Sequence, residues 1–366
     1  MEKYESESGE LYLHLSNVIG TGAVQLVKSL LPELLRISEH TTTVILPDRG
    51  ELSDFKWKSN QVRVVNVRRR LPKFISRFFE CFFSSFKLPD NSKLLVLGDL
   101  PLRTNASQTL FVQTSNLVRN HKPSLINFDY LKYSVAQSIF LLNHKYVKHY
   151  IVQTEVMKER LESFYPVVKG RVSVVPQPVP GWLIHSDVFR VGRCTSGGLR
   201  LFYPAASYPH KNHRLLSNVN AEDFHCWPVE NITLTIDSFC SPNLDWPAIQ
   251  CVGLIAPDKM VSFYKESDAL IFLSQEESFG FPLIEAMYCG IPIVCPDLPY
   301  ARMLCGDMAI YFQDNNVMSL LEAIVILKHK LDEGWWPDWQ EQLDYLPADW
   351  NSVAVKMFNI SMDLEG

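Results

Sequence analysis

Glu277 and Glu285 flank the stretch "SFGFPLI" within "SQEESFGFPLIEAMYCGIPIV", Ser274 to Val294. The preceding "DALIFLSQ" reads as a buried strand that delivers the chain to its carboxyl end. "EESFGFP" then reads as a loop, and "LIEAMYC" as the start of a helix. The free N–H groups at such a helix start, beside the small Gly280, can hold an anion such as phosphate. A carboxylate accepts hydrogen bonds from hydroxyls and cannot itself attract phosphate. Two carboxylates around an anion-holding turn therefore suit a ligand with hydroxyls on both sides of a phosphate. A nucleotide sugar has that layout: sugar, diphosphate, ribose. The plainer reading is a glutamate that favours a helix dipole and a proline, Pro282, that starts the helix.

Positioning these groups needs a sizeable scaffold. The chain has 366 residues, 47% of them hydrophobic, too long for one ordinary core and suited to two domains. Basic and acidic residues number 35 and 40, a formal charge of −5, so a general nucleic-acid partner is not expected. The eight cysteines have neither CxxC spacing nor a zinc-like cluster with histidine, and read as buried thiols in a reducing cytosol. "MEKYESESGE" is acidic and polar, unlike a signal peptide, and no apolar run reaches the roughly 18 residues of a membrane span. A cytoplasmic location is expected.

Strand patterns recur along the chain. "LYLHL" is followed by a loop with Gly20 and Gly22 and a helical pattern from Val24 to Leu35. "TTTVILP", "VRVVNV", "KLLVLGD", "TLFVQTS", "YIVQ" and "RVSVV" follow, with "SVAQSIFLLNHKYVKH" reading as helix. The pattern breaks between Gln177 and Leu199, at "PQPVPGW" and "RCTSGG". It restarts with "LRLFYPAASYPHKNHRLL" as strand, loop and helix, then "NITLTID", "IQCVGLI", helical "PDKMVSFYKES", "DALIFLSQ", "GIPIVCPD" and "MAIYFQD". Strands alternating with helices predict two parallel α/β domains facing a cleft, over residues 1–180 and 181–345. Ligands of such sheets lie beyond the carboxyl ends of the strands.

The stretch "ESFGFPLIEAM", with "GIPIVCPDLP" and "CGDMAIYF", resembles the E-x7-E signature of retaining, two-domain (GT-B) glycosyltransferases, in particular family 4, among the glycosyl transferases group 1. The resemblance implies two Rossmann-like domains and a nucleotide-sugar donor, UDP- or GDP-linked, as substrate. It implies that Glu277 meets hydroxyls of the donor sugar and Glu285 the ribose. Phe279, Gly280 and Phe281 would form the loop beside the diphosphate. "YPAASYPHKNHRLL" is similar to the family's phosphate-binding loop, which makes Lys211 the residue that reaches the diphosphate. The arginine often found a few residues before that lysine is absent from "AASYP", and Arg214, beyond the lysine, is a substitute. Met303 stands where relatives commonly carry glutamate. "LPADWNSVAVKMFNI" resembles the closing helix, residues 346–366, that returns to the first domain, with Trp350 as a packing anchor.

By the same resemblance, the loop of Gly20 and Gly22 approaches the donor diphosphate; read alone, it is equally a tight turn. Gln113, after "TLFVQ", stands about where many relatives carry a histidine, and with Asp99 it is an acceptor-side candidate. Glutamine orients a hydroxyl and is no general base. His121 and His144 read as surface or helix histidines. No base is identifiable, and in this retaining family the leaving phosphate is thought to take the acceptor's proton, so the protein's work is positioning and charge stabilisation. No metal cofactor is expected. The resemblance points to a hexosyltransferase acting on a glycan or lipid-linked acceptor in bacterial surface polysaccharide (O-antigen, lipopolysaccharide or capsule) biosynthesis. The alternatives are an inactive relative that binds nucleotide sugar or a partner protein, and a GT-B epimerase. A hydride-transfer enzyme fits worst, because "GTGAVQ" lacks the third Gly or Ala of the dinucleotide fingerprint.

"VRRRLPKFISRFFECFFSSFKL" carries Phe74, Ile75, Phe78, Phe79, Phe82, Phe83 and Phe86 at helical spacing. Arg68, Arg69, Arg70, Lys73, Arg77 and Lys87 surround them. Such a face suits peripheral contact with an anionic membrane through residues 68–87. It equally suits a helix whose apolar face packs on its own sheet.

Overall fold

The computed structural model describes residues 10–18, 20–39, 41–68, 73–83, 88–119, 128–186, 188 and 197–364. The chain forms two compact units, Met1–Pro178 with Pro347–Gly366, and Val179–Leu346.

The first unit runs β1 (Leu11–His14), α1 (Thr21–Ile37), β2 (Thr42–Pro47), β3 (Val62–Val67), α2 (Lys73–Phe83), β4 (Lys93–Val96), β5 (Ser107–Phe111), α3 (Phe128–Asn143), β6 (Val147–Val152), α4 (Glu155–Phe164) and β7 (Val172–Val174). Its seven strands lie in the order β3-β2-β1-β4-β5-β6-β7, all parallel. The second unit continues with α5 (Gly181–Ile184), β8 (Leu199–Tyr203), β9 (Val229–Leu234), β10 (Ile249–Cys251), α6 (Pro257–Glu266), β11 (Ala269–Ile271), α7 (Phe281–Tyr288), β12 (Ile293–Pro296), α8 (Pro299–Cys305), β13 (Ile310–Phe312), α9 (Val317–Asp332) and α10 (Gln340–Asp344). Its six parallel strands are ordered β10-β9-β8-β11-β12-β13. These are two Rossmann-like sheets of the GT-B kind.

Sheets covered on both faces need strands that are apolar throughout. β11 and β12 are buried along their whole length, and so is β2 despite Thr42 and Thr43. Helices instead bury one stripe. In α9 that stripe is Leu320, Ala323, Ile324, Leu327 and Leu331, and Asn316 caps its start by accepting from the N–H groups of Met318 and Ser319.

The closing helix α11 (Trp350–Met362) starts at an Asp349 cap that accepts from Ser352 N at 2.7 Å. It buries Trp350, Val353, Ala354, Met357 and Ile360 and packs on α1, β4, β5 and β6. Lys356 Nζ donates to Val174 O at 3.0 Å. Asp363, just past the helix, accepts from Lys93, Lys148 and His149 at 2.5, 2.8 and 3.0 Å.

Two expected helices are corrected. "PHKNHRLL" forms short 3-10 turns, Pro209–Lys211 and His213–Asn218, because Asn212 between them sits in the left-handed region at φ 54°. The helix over "SVAQSIFLLNHKYVKH" ends at Asn143, whose buried amide donates to the carbonyls of Cys81 and Pro101 at 3.0 and 3.2 Å. The cysteines also divide: Cys81, Cys289, Cys295 and Cys305 are buried, Cys240 and Cys251 partly so, Cys226 is exposed, and Cys194 lies outside the described residues.

Candidate functional site

In each sheet the strand order reverses once, between β1 and β4 and between β8 and β11. The crevice at such a reversal is where ligands of doubly wound sheets settle. In the second unit the loops after β8 and β11 carry Lys211 and Glu277. They are tied together by Gln275 N donating to His210 O at 2.8 Å. Tyr203 Oη fixes the first loop by donating to Lys211 O at 2.7 Å. Tyr300 Oη fixes the second by donating to Ser274 O.

Lys211 Nζ donates to Glu277 Oε1 at 2.5 Å, with side-chain exposures of 17% and 11%. The ammonium also lies 5.9 Å from the Phe272 ring centroid. Beside it His213 is held down at about pKa 4, first by burial and then by the Lys211 charge, so the ring is neutral at pH 7. Burial, reinforced by the Glu277 charge, pushes the phenols of Tyr203 and Tyr300 well up. These three neighbours are thus uncharged at pH 7, and the withdrawn Lys211–Glu277 pair makes a charge-assisted hydrogen bond beside them.

Gly280 precedes α7 at φ 100°, a left-handed conformation that favours glycine, and an added Cβ would lie 3.3 Å from Leu283 and Leu304. Phe279 is buried and its ring meets that of Phe281 edge-on at 5.0 Å. Glu285, in α7, is 8% exposed and accepts from Tyr264 Oη of α6 at 2.6 Å. Burial pushes its carboxyl up to about 7, against the pull of the Tyr264 hydrogen bond. Near neutrality this group both accepts and donates. Arg214 is exposed, and its side chain makes no hydrogen bond or ion pair among the described residues. Met303 is 40% exposed.

In the first unit Gly20 caps α1 at φ −75° and Gly22 lies in its first turn. A Cβ at either would meet nothing within 4 Å, so packing of this unit does not demand glycine there. Asp99, after β4, has φ 66° and accepts from the N–H groups of Gln113 and Thr114 at 2.6 and 3.1 Å. Burial pushes its carboxyl up, while nearby Arg77 pulls it down. The Gln113 amide donates to Leu97 O at 2.9 Å. The fold thus brings Asp99 and Gln113 together, bonded to the loops that carry them. His144 Nδ1 lies 2.6 Å from Leu141 O, and His121 lies outside the described residues.

Sequence reasoning missed three groups here. Tyr264, the partner of Glu285, is an unremarked helix tyrosine. His14, the last residue of β1, and Ser16 just beyond it both meet Glu80 of α2, His14 Nε2 at 3.0 Å from Glu80 Oε1. Gly98 is held close, since an added Cβ would lie 2.7 Å from Asn17 Cβ.

That contact corrects the reading of α2. Arg77, expected among the outer cations, turns inward and donates through Nη2 to Gly98 O at 2.7 Å. With Glu80 and buried Cys81 it makes the face toward the sheet, while Ile75, Phe78 and Phe79 are 43, 39 and 48% exposed. Phe82 is partly buried beneath the Arg103 guanidinium, 4.3 Å from the ring centroid. Arg68 is exposed. Arg69, Arg70, Phe86 and Lys87 lie outside the described residues, as do the side chains of Lys73, Phe74 and Phe83.

Within the second unit, residues 246–331 match the family model of the glycosyl transferases group 1. The chain is similar to the serotype-specific mannosyltransferase WbdA of Escherichia coli, 36% identical over 93 residues, 24% of this chain and 11% of that protein. It is also similar to the O-antigen chain mannosyltransferase RfbU of Salmonella typhimurium, 24% identical over 55% of each chain. The matches thus span between a tenth and about half of the length of these curated relatives. Among solved structures, WaaG, a glycosyltransferase involved in lipopolysaccharide biosynthesis, superposes with a TM-score of 0.66 over 96% of this chain and 99% of that one, at 12% identity. That likeness is one of fold.

Proposed function

We propose that this chain is a retaining, metal-independent glycosyltransferase that moves a hexose from a UDP- or GDP-linked donor to a glycan or lipid-linked acceptor of a bacterial surface polysaccharide. The observation that carries the reading is the Lys211–Glu277 pair at the strand-order reversal of the second sheet. It sets a cation for diphosphate beside a carboxylate for sugar hydroxyls. The mannosyltransferase names of the relatives make mannose the first sugar to try.

In this reading the acceptor hydroxyl oxygen bonds to the anomeric carbon as the bond from that carbon to phosphate oxygen breaks. The leaving phosphate takes the acceptor proton on the same face. Lys211 stabilises the charge that develops on the departing diphosphate, with the N–H groups at the start of α7. Glu277 orients the sugar and Glu285 the ribose; in the first unit, the backbone at Gly20 and Gly22 is open enough for a phosphate to approach closely. Phe279 and Phe281 wall the loop, and Arg214 supplies a further cation near the ligand.

The outward face of α2 supports peripheral attachment to the cytoplasmic leaflet. Its Arg77 and Glu80 turn inward and its Ile75, Phe78 and Phe79 outward, the reverse of a helix built for water. Among the described residues no helix is long and apolar enough to cross a membrane.

A calorimetric screen of UDP-, GDP- and other sugar nucleotides tests the donor assignment. Binding of at least one donor, weakened by Lys211→Ala, is expected. Indifference to every sugar nucleotide would remove it, and binding without transfer or hydrolysis would favour an inactive relative.

A further inference from the structure

We propose that the Glu277 carboxylate is a built-in competitor for the diphosphate site, one that the intact donor displaces readily and the spent nucleoside diphosphate does not. The proposal rests on the donor-site reading above. Lys211 Nζ and Glu277 Oε1 are 2.5 Å apart with both side chains largely withdrawn from water. Their loops are held together by the backbone hydrogen bond from Gln275 to His210. Among the groups around them, His213, Tyr203, Tyr300 and the Phe272 ring carry no charge at neutral pH. A phosphate oxygen that binds Lys211 therefore competes with the carboxylate for the ammonium.

The displaced carboxylate needs a new partner, because a charge left unpaired at such low exposure is costly. An intact nucleotide sugar supplies one: its phosphates go to Lys211 and its sugar hydroxyls go to Glu277. A nucleoside diphosphate supplies only the phosphates. Once the sugar has left, Glu277 recovers Lys211, and the diphosphate loses its cation. The pair thereby favours substrate over product and hastens product release.

The test is titration of UDP, GDP, UDP-glucose and GDP-mannose into the wild-type chain, Glu277→Gln and Lys211→Gln/Glu277→Gln. Glutamine keeps a hydrogen-bonding group and removes the competing charge. Glu277→Gln should bind the nucleoside diphosphate about tenfold more tightly, the scale of one charge-assisted hydrogen bond. The sugar nucleotide should gain less, and the double variant should lose the gain. Unchanged or weaker nucleoside diphosphate binding by a folded Glu277→Gln would overturn the proposal. If that variant does not fold, the wild type decides: the sugar nucleotide must bind more tightly than its own nucleoside diphosphate, and the reverse order overturns the proposal. Binding of no nucleotide by any form would instead sink the donor-site reading, and the competitor with it.

Discussion

Tyr264 Oη of α6 donates to Glu285 Oε2 of α7 at 2.6 Å, and the carboxyl that accepts this bond is buried. Its folded pKa of about 7 lies above the ordinary value of 4.5. Between those values the folded chain holds a proton that the unfolded chain releases, so stability falls as pH rises through that window and the loss is complete above about 7. At 1.36 kcal/mol per pKa unit the effect is on the order of 3 kcal/mol. Such a cost fits a group kept for a ligand rather than for the fold.

Glu285→Gln keeps an acceptor for the Tyr264 hydroxyl and removes the ionisable group. Chemical denaturation at pH 8 should find the variant more stable by roughly 1–3 kcal/mol. The difference should shrink toward zero below pH 5, while nucleotide binding weakens. A constant offset at both pH values would show that proton release from Glu285 is not its source.

The outward rings of α2 offer a cleaner separation than changing every phenylalanine. Phe82 packs on the first unit's core and should be spared. Phe78→Ser with Phe79→Ser should leave the melting temperature within a few degrees, since surface changes stay near ±0.5 kcal/mol each. The same variant should lose most of its cosedimentation with vesicles containing phosphatidylglycerol. High salt should loosen the wild type without freeing it, because apolar burial and basic attraction act together. A variant that sediments like the wild type would end the membrane role for this face.

Asp363 gives a pH effect of the opposite sign. Burial raises its pKa, but hydrogen bonds from Lys148 and Lys93, with their charges, outweigh that and hold it at about 2, below the ordinary 3.8. Its contribution is therefore present above pH 3.8 and lost as pH falls through about 2. Asparagine tolerates the left-handed backbone at φ 58°, so Asp363→Asn isolates the charge. Denaturant titration at pH 7 should show a loss of up to about 1 kcal/mol, reduced in 1 M salt, because the cluster is partly exposed. Equal stability at pH 7 and low salt would show that the cluster does not hold the closing helix.

Much of the fold was legible because parallel strands must be apolar on both faces. "LFY", "ALIFL" and "IVC" announce themselves for that reason, and helix stripes announce themselves by period. The glutamate pair was legible because a turn with glycine and proline fixes where both carboxylates stand. What was hidden depended on distance in sequence. Nothing in "MVSFYKES" marks Tyr264 as the partner of Glu285, and nothing local says that Arg77 and Glu80 turn inward. His14 and Ser16, which await Glu80 across the fold, decide that. The break at Asn212 was equally silent, since "HKNHRLL" has helix-compatible residues on both sides of it.

The central claim is that Glu277 holds the sugar being transferred. Release of nucleoside diphosphate from the preferred sugar nucleotide, measured in parallel for the wild type and Glu277→Ala with the fold checked by circular dichroism, tests it most directly. Loss of charge-assisted hydrogen bonds at the reacting sugar should cost on the order of 2–4 kcal/mol, a fall of about thirtyfold to a thousandfold in rate. A folded Glu277→Ala that turns over at the wild-type rate would contradict the account.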